Sequence, residues 1–131
     1  MKSLIVEDEF TSRVVLQHVL ARFGECHIAV NGEEAITAFA DGLEKQDPYG
    51  LVCMDIRLPG MDGIEAVKRI RALEESRGVY SNNGVKILMT TAIEETGDIV
   101  DSFRALCDAY LIKPIDAGQM MQRLQYLGVS A

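Results

Sequence analysis

Four apolar segments of this chain are each followed by side chains that can bind a phosphate group or a metal ion. In chain order these side chains are Glu7 and Asp8, Asp55, Thr91, and Lys113. The carboxyl ends of parallel strands meet at one edge of an open α/β sheet, where such folds build their ligand sites. A carboxylate can attack phosphorus to form an aspartyl-phosphate, and Mg²⁺ prefers carboxylate oxygens as ligands. If the four segments are parallel strands, the set is suited to accepting a phosphoryl group.

Asp55 is the candidate nucleophile of this set. It follows the apolar run Leu51–Met54 and precedes a loop with a Pro59–Gly60 step, after which we expect a helix to begin near Gly63. An aspartate at the end of a strand can also cap a helix or form a turn. The loop already has its own turn residues, however, so we interpret Asp55 as a functional carboxylate.

The secondary-structure elements that must position these residues show two alternating sequence patterns, one typical of strands and one typical of helices. Five short apolar segments indicate buried strands, and segments with helical period and one apolar stripe separate them. The predicted strands are Ser3–Val6, Cys26–Val30, Leu51–Met54, Val85–Thr90 and Ala109–Ile112. This alternation, with right-handed crossovers, predicts an α/β fold with a doubly wound, five-stranded parallel sheet.

Five helices are predicted from their apolar stripes. The first ends at Gly24, the second is capped by Asn31 with Glu34 reaching back, and the fifth follows Pro114 with Asp116 as its N-cap. The stripes are Val15, Leu16, Val19, Leu20 and Phe23; Ala35, Ile36 and Phe39; Ile64, Val67, Ile70 and Leu73; Ile99, Val100, Phe103 and Leu106; and Met120, Met121, Leu124 and Leu127.

Composition limits the classes of protein to consider. The 131 residues are 48% hydrophobic and 25% charged, as expected of one globular domain over residues 1–131 with no output domain. A formal net charge of −7 argues against a nucleic-acid surface. No apolar stretch has the length of a signal peptide or membrane span, so we expect a cytoplasmic protein. Three cysteines without C-x-x-C spacing do not indicate disulfides or a zinc site.

These motifs, in this order, resemble the receiver domain of the two-component response-regulator family, in particular its stand-alone, chemotaxis-type members. The resemblance covers the chain from Lys2 to Leu127. It implies a flavodoxin-like (βα)5 fold with strand order 2-1-3-4-5. A single motif would be weak evidence for this family, but four motifs at this spacing are specific to it.

The resemblance implies a role for each acidic residue. Asp55 matches the phosphoacceptor. Asp8 and Asp55 would bind Mg²⁺ directly, together with the backbone carbonyl of Arg57, and Glu7 would act through water. Many relatives carry aspartate where this chain has Glu7, so its longer side chain is a departure from the family pattern. Without a cation, carboxylates crowded into one cleft would raise each other's pKa.

The resemblance also assigns the remaining positions. Lys113 matches the lysine that contacts the phosphoacceptor and the phosphoryl group, and the Lys113–Pro114 bond is a candidate cis peptide. Thr91 matches the hydroxyl that turns toward the phosphoryl group, and Tyr110 matches the switch aromatic. Thr90 is a rival to Thr91 by adjacency. Strand alternation sends the two to opposite faces, and the Thr91–Ala92 pair fits the family pattern better.

The function implied is that of a phosphorelay receiver rather than an enzyme. It would take a phosphoryl group from a histidine kinase or a histidine phosphotransfer protein, and then remodel the surface formed by helix four, strand five and helix five. We expect a monomer or a weak phosphorylation-dependent dimer that acts on a downstream protein which the sequence does not name. Two alternatives are a Mg²⁺-dependent phosphatase with an aspartyl-phosphate intermediate and a receiver-like binding module that works without phosphorylation. Against the phosphatase, the sequence has no second acid shortly after Asp55. Against the binding module, such a protein would not need the intact set of site residues.

Overall fold

The computed structural model describes residues 1–80, 83–92 and 106–129. The strands are β1 (Ser3–Val6), β2 (Cys26–Ala29), β3 (Leu51–Asp55), β4 (Lys86–Thr91) and β5 (Ala109–Ile112). They form one parallel sheet in the order β2-β1-β3-β4-β5. The predicted α/β, doubly wound sheet with strand order 2-1-3-4-5 is therefore confirmed.

Helices in the described residues cover both faces of this sheet. They are α1 (Phe10–Leu20), α2 (Gly32–Glu44), α3 (Gly63–Glu75) and α4 (Ala117–Tyr126). Our α4 is the fifth helix predicted from the sequence. The fourth predicted helix, with Ile99, Val100 and Phe103 in its stripe, lies outside the described residues. Among the described residues, no helix has the length and apolar character that a membrane span requires.

Side-chain caps define where three helices begin. The carboxylate or amide oxygens of Asn31, Asp62 and Asp116 each accept a hydrogen bond from the backbone N–H three residues later, at 2.8, 2.8 and 3.0 Å. Such bonds satisfy donors that the first turn of a helix leaves free. The predicted caps at Asn31 and Asp116 are confirmed.

The core consists of two layers, one on each face of the sheet. Successive strand residues point to opposite faces, so Leu88 and Cys53 pack with α1 and α4, whereas Met89 and Met54 pack with α2 and α3. We call these the α1/α4 face and the α2/α3 face. Strands covered on both sides explain the continuous apolar runs in the sequence.

Some element boundaries differ from the sequence prediction by one to three residues. The second strand ends at Ala29 because the N–H of Val30 donates to Glu34 Oε1 at 3.0 Å, outside the ladder. The fourth strand begins at Lys86 rather than Val85, whose N–H donates to Glu74 Oε2 at 2.6 Å. Helix α1 ends at Leu20, and the predicted stripe residue Phe23 lies in the following turn, where it is still buried.

Candidate functional site

The carboxyl edge of the sheet brings the predicted site residues together. Val6 pairs with Met54, Asp55 with Thr90, and Thr91 with Ile112 across neighbouring strands. Positions at or just after these pairs therefore form a row over β1, β3, β4 and β5. The row holds Glu7, Asp8, Asp55, Thr91 and Lys113.

Three carboxylates form a cluster in this row. Glu7, Asp8 and Asp55 each offer an oxygen, and these oxygens lie within 4.8 Å of one another. The Glu7 side chain is 0% exposed and Asp55 is 4% exposed, whereas Asp8 is open to solvent. We call these three residues the carboxylate cluster. Because Asp8 faces solvent, a small ligand has a route to the two buried members.

Lys113 is the cation that contacts this cluster. Its Nζ donates hydrogen bonds to Asp55 Oδ2 at 3.0 Å and to Glu7 Oε2 at 3.1 Å. Glu7 Oε1 also lies 3.0 Å from Nζ, yet it is buried and has no hydrogen-bond partner among the described residues. The ammonium therefore contacts two of the three carboxylates, and one buried oxygen of Glu7 accepts no hydrogen bond among the described residues.

Burial and the crowding of charge shift the pKa values of Glu7 and Lys113. Burial, and then the neighbouring Asp55, raise the pKa of Glu7 to about 7, although Lys113 opposes the shift. Burial alone would lower the pKa of Lys113, but its contacts with Glu7 and Asp55 raise it above the ordinary value. The pKa of Glu7 is therefore raised first by burial and then by a neighbouring negative charge, whereas the pKa of Lys113 is raised by its two acidic partners.

The donor set fits a hard divalent cation. Mg²⁺ takes oxygen ligands and is commonly held by one or two carboxylates with water and phosphate. Glu7 Oε1, which accepts no hydrogen bond within the described part of the chain, and the solvent-facing Asp8 supply oxygens of this kind close to Asp55. A cation here would also relieve the repulsion from Asp55, which adds to the effect of burial on the pKa of Glu7.

The loop after β3 folds back over the phosphoacceptor candidate. The N–H of Arg57 donates to Asp55 Oδ1 at 3.1 Å, and the N–H of Gly63 donates to the Ile56 carbonyl at 2.7 Å. A Cβ at Gly63 would overlap the Asp55 carbonyl oxygen, so glycine lets α3 begin this close to the strand. Gly60 has φ +79°, which suits the turn between them. The loop thereby fixes the orientation of the Asp55 carboxylate.

The predicted switch residues lie on β4 and β5. Thr91 is buried and its hydroxyl donates to the Ala92 carbonyl at 3.2 Å. Tyr110 is half-buried and packs against the α2/α3 face. The Lys113–Pro114 peptide bond is cis, as predicted. The switching roles of Thr91 and Tyr110 stay predictions.

Sequence reasoning missed two features of the site. It paired Lys113 with Asp55 but not with Glu7, which the structure also places in contact with the ammonium. It also set Thr90 aside, although Thr90 is buried and pairs with Asp55 in the sheet. A signal for the second feature was present, because a hydroxyl is unusual in an otherwise apolar buried strand.

Comparison with known proteins identifies the class. Residues 3–125 match the response regulator receiver domain family, and the chain belongs to that family. It is 30% identical to the chemotaxis protein CheY-3 of Vibrio cholerae, over 95% of this chain and 88% of that protein. It is 35% identical to the transcriptional regulatory protein ResD of Bacillus subtilis, over 96% of this chain and 47% of that protein. The chain spans only 17% of another relative, the sensory/regulatory protein RpfC of Xanthomonas campestris.

Solved receiver structures share the fold. The receiver domain of the histidine kinase CKI1 from Arabidopsis thaliana, complexed with Mg²⁺ and BeF₃⁻, superposes with a TM-score of 0.80 at 27% identity, covering 98% of this chain and 90% of that one. The complex of the Saccharomyces cerevisiae phosphotransfer protein Ypd1 with the receiver domain of Ssk1 gives a TM-score of 0.77 at 28% identity, covering 99% and 92%. This chain is therefore a phosphorelay receiver by family and by fold.

Proposed function

We propose that Asp55 of this receiver accepts a phosphoryl group from a phosphohistidine, with Mg²⁺ held by the carboxylate cluster. The observation that carries the proposal is the position of the Asp55 carboxylate. It lies at the carboxyl edge of the sheet, 3.0 Å from the Lys113 ammonium and close to Glu7 Oε1, which accepts no hydrogen bond from the described residues. Phosphoryl transfer depends mostly on positioning and charge neutralisation, and this geometry offers both.

Each residue has a distinct part in the transfer. An oxygen of Asp55 forms a bond to phosphorus while the bond from phosphorus to the histidine nitrogen breaks. Lys113 stabilises the charge on the phosphoryl oxygens as a point charge. Asp8, Asp55 and the backbone carbonyl of Arg57 would hold Mg²⁺, with Glu7 contributing through water. The ion, when bound, would neutralise the repulsion between the cluster and the incoming phosphate.

The response to phosphorylation would pass through Thr91 and Tyr110. The phosphoryl group adds a charge of about −1.5 to −2 and three acceptor oxygens. We expect the Thr91 hydroxyl to leave the Ala92 carbonyl for a phosphoryl oxygen, and Tyr110 to follow into the space beside β4. A shift from mostly inactive to mostly active requires about 5.5 kcal/mol, which a few charge-assisted hydrogen bonds can supply.

The partners we propose are protein partners. Ssk1, a relative of similar fold, has been seen with the phosphotransfer protein Ypd1, which supports a histidine-containing donor for this chain. The excess of acidic over basic residues, 20 against 13, speaks against nucleic acid as the direct partner. We expect a cytoplasmic monomer, or a weak dimer on phosphorylation, that binds a downstream protein.

Incubation with acetyl phosphate and Mg²⁺, followed by intact-protein mass spectrometry, tests the proposal. A receiver gains one phosphoryl group that persists long enough to be detected, and chelation of Mg²⁺ prevents the gain. Continuous release of inorganic phosphate with turnover would instead identify a phosphatase. No reaction with acetyl phosphate or with a phosphorylated phosphotransfer protein would identify a phosphorylation-independent binding module.

A further inference from the structure

The hydroxyl of Thr90 is a buried polar group beside the site that the transfer described above does not use. Thr90 is 1% exposed, and its Oγ1 has no hydrogen-bond partner among the described residues. A buried hydroxyl without a partner costs stability, which a valine of the same shape would avoid. A group of this kind in a native structure therefore requires an explanation, and a role in function is one.

The strand register places this hydroxyl on the same face as the phosphoacceptor. Thr90 pairs with Asp55, and paired residues of parallel strands point to the same side of the sheet. Leu88 and Cys53, two residues before each of them, both pack in the core of the α1/α4 face. Thr90 and Asp55 therefore share the α1/α4 face, whereas Thr91 is the last residue of β4.

To reach its partners, the side chain of Lys113 has to cross the carboxyl end of β4, the strand that carries Thr90. Lys113 follows the last residue of β5, and β4 lies between β5 and β3 in the sheet. Its Nζ nevertheless reaches Asp55 Oδ2 at 3.0 Å and, one strand further, Glu7 Oε2 at 3.1 Å. The lysine therefore crosses the end of β4 on the face that carries Asp55 and Thr90.

We propose that Thr90 is a positioning residue for phosphoryl transfer. Its hydroxyl accepts a hydrogen bond from the Lys113 ammonium in the loaded site, by which we mean the site that holds both the cation and the phosphoryl group. This inference rests on the proposed function of Asp55. An ammonium has three donors, and two of them are directed at Glu7 and Asp55 here. A cation in the carboxylate cluster and a phosphoryl group on Asp55 both compete for those two acceptors.

The Thr90 hydroxyl gives the ammonium an acceptor that does not move when the cluster is loaded. Strand β4 is held on both sides by its neighbours, and the N–H of Ile56 donates to the Thr90 carbonyl at 3.1 Å. A β-branched side chain on such a strand has few rotamers, so its oxygen is fixed in place. The remaining donors of Lys113 are then free to face the phosphoryl oxygens.

The rate of labelling by acetyl phosphate at saturating Mg²⁺ tests this role in two variants. Thr90→Val removes the hydroxyl and keeps the shape, and we expect labelling to slow about tenfold, the size of one hydrogen bond to a charged group. Thr90→Ser keeps the hydroxyl and should retain most of the wild-type rate. Thr90→Val should also raise the melting temperature and leave the Mg²⁺ affinity unchanged, because Thr90 is not a ligand. Thr90→Ala replaces Thr90→Val if the valine variant does not fold.

The outcomes separate this inference from the function on which it rests. Slow labelling of a stable Thr90→Val protein, with recovery in Thr90→Ser, supports the positioning role. Labelling of the valine variant at the wild-type rate overturns it, and so does an equal loss of rate in the serine variant. A wild-type protein that takes up no phosphoryl group overturns both this inference and the proposed function.

Discussion

Two clusters of charged side chains lie at opposite ends of the sheet, and they differ in how completely their charges are paired. The carboxylate cluster at the carboxyl edge has three acids, one contacting lysine, and a buried oxygen without a hydrogen-bond partner among the described residues. The second cluster lies at the amino end of β4 and consists of Arg71, Glu74 and Asp108; we call it the Arg71 cluster.

The Arg71 cluster uses both oxygens of its buried acid. Glu74 Oε1 accepts from Arg71 at 2.8 Å, and Oε2 accepts from the N–H of Val85 at 2.6 Å. Asp108 Oδ2 accepts from Arg71 at 3.2 Å and from the N–H of Ile87 at 2.7 Å. These bonds join α3, the start of β4 and the segment before β5 into one unit.

The comparison teaches what distinguishes a ligand site from a structural anchor in this fold. Both clusters bury an acid almost completely, so burial alone does not separate them. A buried charge is tolerated when its hydrogen bonds are complete, as at Glu74. At Glu7 they are incomplete and the pKa is raised to about 7, with burial as the largest cause. Incomplete pairing of charge at the strand ends is therefore the feature that separates the proposed cation and phosphoryl site from the structural anchor.

The largest effect on stability is expected from breaking the Arg71 cluster. Glu74→Ala leaves the Arg71 guanidinium and the N–H of Val85 without this partner, so we expect the free energy of unfolding to fall by about 4 kcal/mol. Glu75→Ala, at the exposed neighbouring position, is the matched control and should change little. Urea denaturation measures both. A loss below about 1 kcal/mol in Glu74→Ala would show that the cluster is not an anchor.

A smaller effect is expected from the pH dependence of stability in the absence of Mg²⁺. The pKa of Glu7 is about 7 in the folded protein against an ordinary value of 4.5, so the folded state binds the proton more tightly. Its contribution to stability is therefore complete below pH 4.5 and is lost as the pH rises through 7, by up to about 3 kcal/mol.

Two variants isolate the contribution of Glu7 to this profile. Glu7→Gln cannot ionise and should flatten the decline between pH 4.5 and 7. Glu33→Gln, on the exposed start of α2, should keep the wild-type profile. Chemical denaturation across this pH range gives the comparison. An unchanged slope in Glu7→Gln would mean that other groups cause the decline.

The smallest of these effects concerns the affinity for Mg²⁺. Asp8→Asn removes one anionic ligand from the carboxylate cluster, and we expect affinity to fall about tenfold, or ~1.4 kcal/mol. Glu9→Gln alters the adjacent carboxylate, which contacts Ser12 rather than the cluster, and should bind Mg²⁺ as the wild-type protein does. Calorimetric titration measures both affinities. Equal affinities in the two variants would place the ion elsewhere.

The architecture was accessible from the sequence because its signals are local. Alternation of apolar runs with helical stripes located all five strands, and Asn31 and Asp116 cap their helices as predicted. Two of the boundary errors arose where a side chain takes a backbone donor from the ladder, as Glu34 does at Val30 and Glu74 does at Val85. The contact between Glu74 and Val85 joins residues 11 positions apart and leaves no periodic signal in the sequence.

The site was accessible only in part for a related reason. Motif spacing identified Asp55, Asp8 and Lys113 as neighbours at one edge of a parallel sheet. The contact between Lys113 and Glu7 spans 106 positions, and its existence depends on how far a lysine reaches across β4 and β3. The Arg71 cluster was not predicted, because Asp108 is 37 positions from Arg71 and belongs to no motif.

The central claim is that Asp55, and no other carboxylate, receives the phosphoryl group. Mass spectrometry after incubation with acetyl phosphate and Mg²⁺ tests it in Asp55→Asn and in Asp62→Asn, whose asparagine still caps α3. We predict that the wild-type protein and Asp62→Asn each gain one phosphoryl group, whereas Asp55→Asn folds normally and gains none. Labelling of Asp55→Asn at the wild-type level would contradict the account.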